Sequence, residues 1–481
     1  MIGRILEQKQ LREAYESSQP TMIAVYGRRR VGKTYLVTQT FASEFAFFHA
    51  GLSPDEMEGA SNETKMEMQL KAFRNSLILS GAADCPILHD WQDAMLQLEL
   101  LLEKKRKKGG KLVVFLDEIP WMDTPSSHFI SAFEGYWNSY ACRLGDLLTI
   151  VCGSATSWIL NKLLRNKRGL YGRASKEILL APFTLKETED YLLSRGIHMS
   201  RYDVTRIYMA LGGVPYYLGY LELGKTVAEN IDTCFFKGGA PLKEEYASLF
   251  QAIFDYPQKA EEIVRALSQK NIGLSRSELL QKTGMSEGGT FSSVMKALEG
   301  SGFLLPYSPL NKEGKELYYR LIDPFCLFYL RHVEGAPSLN PSFWMGQSSS
   351  SSVRSFRGYA FENACFCHVK QIKKALGVES VSSMQLPFLQ RGGENRVGSQ
   401  IDLVLYRADN FVNLCEMKFY GDDYEQGEAD HKDLERKMNS LVPFLPKKAS
   451  IHPVLITTFG LAKKGYYSDF ERVLTLDDLF I

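Results

Sequence analysis

The 481-residue sequence has no Cys-x-x-Cys pair among its eight cysteines, and the two nearest, Cys365 and Cys367, are separated by one residue. Thiols scattered in this way read as reduced cysteines of a cytosolic protein. No apolar run approaches membrane-spanning length, and the opening residues Met1 to Lys9 lack the apolar core of a signal peptide. A soluble cytoplasmic protein with no membrane partner is expected. Net charge is also missing: 57 Lys and Arg face 56 Asp and Glu, for a formal charge of +1. No global field draws nucleic acid to the chain, so any DNA contact must come from local patches. What is present is a globular composition, 45% hydrophobic and 23% charged, long enough for roughly three domains.

The most informative stretch is Gly27-Arg28-Arg29-Arg30-Val31-Gly32-Lys33-Thr34, with the Gly-x4-Gly-Lys-Thr spacing of a phosphate-binding loop. Thr21 to Tyr26 before it reads as a buried strand and Tyr35 to Phe41 after it as a helix. In that context the backbone N–H groups of residues 27–34 can wrap a phosphate, and the helix N-terminus adds positive potential. Lys33 can reach the β- and γ-phosphates of ATP, and Thr34 can hold Mg²⁺. A chance match to the spacing arises in about one or two chains in a hundred of this length.

Hydrolysis requires a second strand ending in acid, and Lys111 to Leu116 followed by Asp117-Glu118 supplies one. Asp117 is the expected Mg²⁺ residue, and Glu118 the expected polariser of the attacking water. A third strand, Leu147 to Gly153, ends at Ser154, which either senses the γ-phosphate or caps the helix that follows. Arg168 and Arg173 lie in a basic, glycine-containing stretch and either supply a cation to the transferring phosphate, in cis or from a neighbouring subunit, or form a solvated loop. Lys104 to Lys108 reads as the exposed end of a helix. From Thr184 the pattern is helical, interrupted by Leu211-Gly212-Gly213-Val214-Pro215.

Gly3-Arg4, the Gly27–Thr34 loop, Asp117-Glu118, Gly153-Ser154, Gly172-Arg173 and Gly212-Gly213-x-Pro215 follow one another in an order that resembles the archaeal-type AAA+ ATPases, a group also found in bacteria. The resemblance implies an ATP-binding parallel-sheet domain over residues 1–183, a helical lid over 184–250, and a position near the adenine for Gly3-Arg4.

Residues 251–330 read as three helices and a hairpin, a winged helix-turn-helix, with a Ser275-x-x-Glu278 box opening the second helix and a polar hairpin tip at Asn311 to Lys315. Its third helix carries Ser292, Ser293 and Lys296 and no Arg, the commonest base reader. Packing or protein binding is therefore weighed against phosphate contacts from Lys296, Lys312 and Lys315. The serine run Ser348 to Ser352 closes an expected linker over 331–352.

Beyond it, residues 353–481 open with a helix around Phe356 to Asn363, followed by strands Ser399 to Tyr406 and Phe411 to Phe419. Glu416 and Lys418 stand two apart on a strand and share a face, and a hairpin can bring Asp402 beside Glu416. Two carboxylates so placed can hold Mg²⁺, and Lys418 can position water or stabilise charge; the alternative is a surface ion pair. The set resembles the PD-(D/E)XK nuclease superfamily, with Glu362 on the first helix, Asp402 on one strand and Glu416-x-Lys418 on the next, although Gln400-Ile401 stands where many members carry proline. That resemblance implies an α/β nuclease-like fold and Glu362, Asp402 and Glu416 as metal ligands. Two functions follow: an ATPase whose last domain cleaves or binds DNA with a metal, or an ATP-driven switch or adaptor whose nuclease fold is catalytically silent. Expected partners are ATP, DNA, a protein docked through the winged helix, and further copies of the chain.

Overall fold

In the computed structural model the described residues are 2–42, 44–107, 109–164, 174–308, 310, 317–337, 340–390 and 399–481, with backbone alone at 386, 389, 390 and 402. Arg168, Arg173, Lys312, Lys315 and the hairpin tip lie outside them, as does the side chain of Asp402. Contacts divide the chain into two units, Met1–Ala181 with Leu249–Pro257, and Pro182–Ser248 with Gln258–Ile481.

The first unit is built on β1 (Thr21–Tyr26), β2 (Phe45–Ala50), β3 (Leu112–Asp117), β4 (Leu147–Gly153) and β5 (Lys176–Leu179), paired in the order β2-β3-β4-β1-β5. Their pairings are parallel. β1, β3 and β4 are buried at every position, as strands of a sheet covered on both faces must be. Their side chains alternate between two cores. Ile23, Val25, Val113, Phe115 and Ile150 join one with Leu11, Val31 and Leu36, while Met22, Ala24, Val114, Leu116 and Val151 join the other with Phe73, Trp91 and Phe133.

β1 runs into the helix Lys33–Phe41 through Gly27, at φ 142, and Gly32, at φ 92. A Cβ on Gly27 would stand 2.3 Å from the carbonyl oxygen of Leu180, whose N–H donates to Tyr26 O at 2.7 Å. The phosphate loop can lie this close to the chain leaving β5 only because residue 27 has no side chain.

In the second unit the helix Leu185–Ser194 starts at a capping box made by Thr184 and Glu187. The helices Arg201–Leu211, Val227–Phe235 and Pro257–Ser268 follow. A small sheet in the order β6-β8-β7 comes from β6 (Leu274–Ser275), β7 (Leu304–Tyr307) and β8 (Tyr318–Leu321), with the helices Arg276–Thr283 and Gly289–Gly300 between β6 and β7. The helix Ser351–Cys367 leads to β9 (Ser383–Gln390), β10 (Ser399–Arg407) and β11 (Phe411–Lys418). The helix Glu428–Leu441 then precedes β12 (Ser450–Thr457) and β13 (Arg472–Leu474). This larger sheet has the order β13-β12-β11-β10-β9, antiparallel across β9-β10-β11 and parallel across β11-β12-β13.

Within the expected linker 331–352, Phe343–Gln347 is helical, Trp344 is buried, and its backbone N–H donates to Asp232 at 2.8 Å. The serine run is helix start, with Ser350 accepting the N–H of Val353. Of the expected lid, 184–250, residues 184–248 belong to the same unit as residues 258–481. Apolar and aromatic packing causes this. Tyr202 stacks on Phe419 and Phe459 with centroids 5.0 and 5.5 Å away, and Tyr217 lies 4.6 Å from Phe325.

Buried His368 joins these parts as well, accepting the N–H of Leu185 on Nε2 at 2.8 Å, with Nδ1 2.7 Å from Ala364 O. An acceptor at Nε2 and a carbonyl at Nδ1 require the neutral ring, and burial pushes its pKa down from 6.5 to about 4. The folded pKa lies below the unfolded one. The contribution is therefore complete above pH 6.5 and is lost as pH falls towards 4. Urea unfolding followed through the second unit should lose on the order of 2–3 kcal/mol between pH 7.5 and 4.5 from this group, and His368→Gln should flatten that slope.

Gly27→Ala should abolish nucleotide binding and lower stability by about 1–3 kcal/mol, because Cβ meets backbone at a positive φ. Gly135→Ala, in the helix Phe129–Gly135 where an added Cβ meets nothing within 4 Å, should leave the melting temperature unchanged or raise it.

Candidate functional site

The strand order sets β3, β4 and β1 side by side, so the residues at their C-terminal ends meet: Asp117 and Glu118 after β3, Ser154 after β4, and residues 27–34 after β1. Parallel sheets bind ligands at this edge. Lys33 is buried, at 4% exposure, and its ammonium donates to Gly27 O at 3.1 Å, Arg28 O at 2.9 Å and Ser154 Oγ at 3.0 Å. Three protons meet three neutral acceptors. Thr34 donates its hydroxyl to Asp117 Oδ2 at 2.6 Å, while Asp117 Oδ1 accepts the N–H of Glu118 at 2.9 Å.

Glu118 has left-handed backbone, φ 44, at the sharp exit from β3. That turn aims its carboxylate at β4, where one oxygen accepts the Ser154 N–H at 2.8 Å and the other accepts the Ser154 hydroxyl. Ser154 does not cap the following helix; the cap position of Thr156–Trp158 is Ala155. Its hydroxyl sits between Lys33 and Glu118, which gives a continuous chain Lys33→Ser154→Glu118. Gly153 permits the crossing, since a Cβ there would stand 2.7 Å from the Pro120 ring.

Within the loop, Arg28 and Val31 are buried, and Val31 belongs to the core beneath the sheet. Arg29 and Arg30 are half-buried, and Arg30 has φ 70. Arg4 is drawn into the loop's support: its guanidinium donates to Val31 O at 3.4 Å and Ala181 O at 2.7 Å. Those contacts were not legible in the sequence, where Gly3-Arg4 was the only signal.

The hydroxyl of Thr34 and the carboxylate of Asp117 are hard oxygen donors in contact with one another, a pair that suits Mg²⁺. In the C-terminal set, β10 and β11 form the expected antiparallel pair, with Leu403 opposite Cys415, so the backbones of Asp402 and Glu416 stand one register step further along. Glu362 accepts the guanidinium of Arg320 on β8 at 2.7 Å, beside Asn363, which accepts Arg320 Nε at 2.7 Å. A guanidinium at 3% exposure needs such partners. Glu416 accepts Lys437 Nζ of the helix Glu428–Leu441 at 2.6 Å, and Lys437 also lies 3.0 Å from Asp433. Lys418 lies 3.6 Å from Asp430 and 5.4 Å from the Tyr424 ring centroid. Burial, with Asp430 beside it, pushes the Tyr424 hydroxyl above its ordinary range. Among the described residues no group of three His, Cys, Asp or Glu is arranged to hold a metal. Lys437 was missed because its pairing depends on how a helix packs on the sheet.

No described helix is long and apolar enough to cross a membrane. Residues 2–221 match the family model described as an ATPase domain predominantly from Archaea. An uncharacterized protein of Methanocaldococcus jannaschii is 21% identical over 441 residues, covering 91% of each chain. Among solved structures, the Walker-type ATPase of Pyrococcus abyssi is 17% identical and covers 69% of this chain and 96% of its own, with a TM-score of 0.47. The ORC2 protein of Aeropyrum pernix is 13% identical over 72% of this chain and 95% of its own, with a TM-score of 0.38. With its phosphate loop and the Asp117-Glu118 strand end on a parallel sheet, the segment over residues 2–221 is similar to the ATPase domain found predominantly in Archaea.

Proposed function

We propose that the chain binds ATP with Mg²⁺ at residues 27–34 and hydrolyses it, and that its C-terminal half is a partner-binding device governed by that cycle. The Lys33→Ser154→Glu118 chain carries the proposal, because it joins the residue suited to the phosphates to the residue suited to the water. Phosphate oxygens are stronger acceptors for an ammonium than two carbonyls and a hydroxyl. A triphosphate therefore draws Lys33 away from Gly27 O, Arg28 O and Ser154, while the N–H groups of residues 28–34 turn to the phosphates. Ser154, relieved of Lys33, holds Glu118 by N–H and hydroxyl or turns to the γ-phosphate. Glu118 polarises the attacking water. Thr34 and Asp117 would hold Mg²⁺, which supplies positive charge to the β- and γ-phosphates. Arg173 is the proposed cation for the transferring group, from this chain or from another copy.

For the C-terminal half two readings compete. The order helix, β9, β10, β11, helix, β12, with Glu416-x-Lys418 on β11, supports a nuclease-like fold that cleaves or binds DNA through a metal. The pairs Glu362–Arg320 and Glu416–Lys437 favour the silent alternative, because two of the three proposed metal ligands already hold protein cations. The winged-helix reading of 251–330 is supported by its helix, β6, helix, helix, β7, β8 order. Contact of Arg320 and Leu321 with the helix Ser351–Cys367 favours use of that segment for protein packing.

Lys33→Ala should remove ATP binding in calorimetry. Glu118→Gln should retain binding and slow phosphate release by about 10²–10⁴-fold. If Glu118→Gln hydrolyses at the wild-type rate, the base is elsewhere. For the C-terminal half, Mn²⁺ titration of the Lys33→Ala protein should give no binding heat, and DNA incubated with Mn²⁺ should remain unnicked. Heat that disappears in Glu416→Gln would instead favour the metal-dependent nuclease.

A further inference from the structure

The phosphate loop is linked to the chain leaving β5 at two places, once directly and once through Arg4. At its start, Gly27 packs against the Leu180 carbonyl, with room for no Cβ. Near its end, the Arg4 guanidinium donates to Val31 O and, at 2.7 Å, to Ala181 O. Arg4 is held for this task. It is 6% exposed, has left-handed backbone at φ 59 and ψ 26, and its carbonyl accepts the Gln8 N–H at 2.9 Å as the helix Ile5–Glu16 begins. Gln8 Nε2 donates to Gly3 O at 3.0 Å, which fixes the peptide just before Arg4.

Ala181 is the last residue of the first unit's main segment, and Pro182 begins the second. The next residues are tied into the second unit's own structure. The Phe183 N–H donates to Gly213 O at 2.6 Å, a Cβ on Gly213 would stand 1.9 Å from Phe183 O, and the Leu185 N–H donates to His368. Only four residues, 181–184, thus separate the Leu180 carbonyl packed on the phosphate loop from the Leu185 amide bonded to His368. Between them Pro182 has a fixed φ and restricts Ala181 to extended backbone, so a displacement at 181 has few torsions in which to dissipate.

We infer that Arg4 is a positioning residue that reports the state of the phosphate loop to the exit peptide Ala181–Pro182, so that nucleotide binding is felt at Phe183 and Leu185. The inference rests on the ATP reading above and names the regulation of that site. A triphosphate that takes Lys33 from Gly27 O and Arg28 O re-forms the loop containing Val31. One guanidinium then holds a carbonyl in the moving loop and a carbonyl in the exit peptide, so the two shift together. A binding residue alone would contact phosphate or base and would have no need of Ala181.

The test is hydrogen exchange on the full chain, with and without a non-hydrolysable ATP analogue and Mg²⁺, at a concentration that saturates each variant in its own calorimetric titration. In the wild type the analogue should change exchange at Phe183 and Leu185 by about tenfold, an ordinary coupling between sites. Arg4→Met, at saturation, should lose that change. Pro182→Gly leaves every Arg4 contact in place and makes the exit peptide pliant; it too should bind the analogue and lose the change. If Arg4→Met does not fold, Pro182→Gly decides alone. A wild type that binds the analogue with no change at these amides, or a folded Arg4→Met or Pro182→Gly that keeps the full change, overturns the inference. A wild type that binds no analogue overturns the nucleotide reading beneath it.

Discussion

A buried ammonium organises the nucleotide half of this protein. Lys33 is almost wholly removed from water and is solvated by two carbonyls of its own loop and one serine hydroxyl. Two of these acceptors depend on glycines in tight places. Gly27 turns its carbonyl inward only by lying against Leu180, and Ser154 reaches the loop only because Gly153 leaves space beside Pro120. The sheet order then matters chemically. With β4 between β1 and β3, the serine that solvates Lys33 is also the residue bonded to Glu118. A buried charge resting on neutral acceptors is poised to exchange them for phosphate, and this follows from electrostatics before any catalytic step is considered.

The second unit handles buried charge differently, by pairing it. Arg320 is held by Glu362 and Asn363, Lys437 by Glu416 and Asp433, and the carboxylate of Asp232 accepts the amides of Trp344 and Met345 at the start of a short helix. These pairs tie distant segments together. The Arg320–Glu362 pair joins the small sheet to the helix before the large sheet, and the Glu416–Lys437 pair joins β11 to the helix that crosses to β12. Glu362 and Glu416, the acids the sequence suggested as metal ligands, each accept a cation buried beside them, and an unpaired buried cation is far more costly than a paired one.

Much of the chain could be read locally. The buried runs of β1, β3 and β4 are continuous and apolar, and each stops at the residue type that its position requires: Gly27, Asp117-Glu118, Ser154. The capping box at Ser275 and Glu278 and the antiparallel pairing of β10 with β11 are equally local signals. Within the serine run, which the sequence marks as a linker, Ser350 is a helix cap and the preceding Trp344 is buried, features that low complexity does not signal. Lid-like helices were separable in sequence but not in contact, since Tyr202, Tyr217 and His368 carry no local mark of what they pack against.

The sequence alone determined the phosphate loop, its strand-then-helix setting and the acids at the end of β3, because spacing along one chain is enough to place backbone amides, a lysine and a carboxylate in series. Tertiary structure alone decided which groups meet across strands and helices: Ser154 between Lys33 and Glu118, Arg4 between Val31 and Ala181, Arg320 on Glu362, Lys437 on Glu416. Hydrogen bonds and ion pairs form between neighbours in space, and strand order and helix packing choose those neighbours with no trace in the distance along the chain.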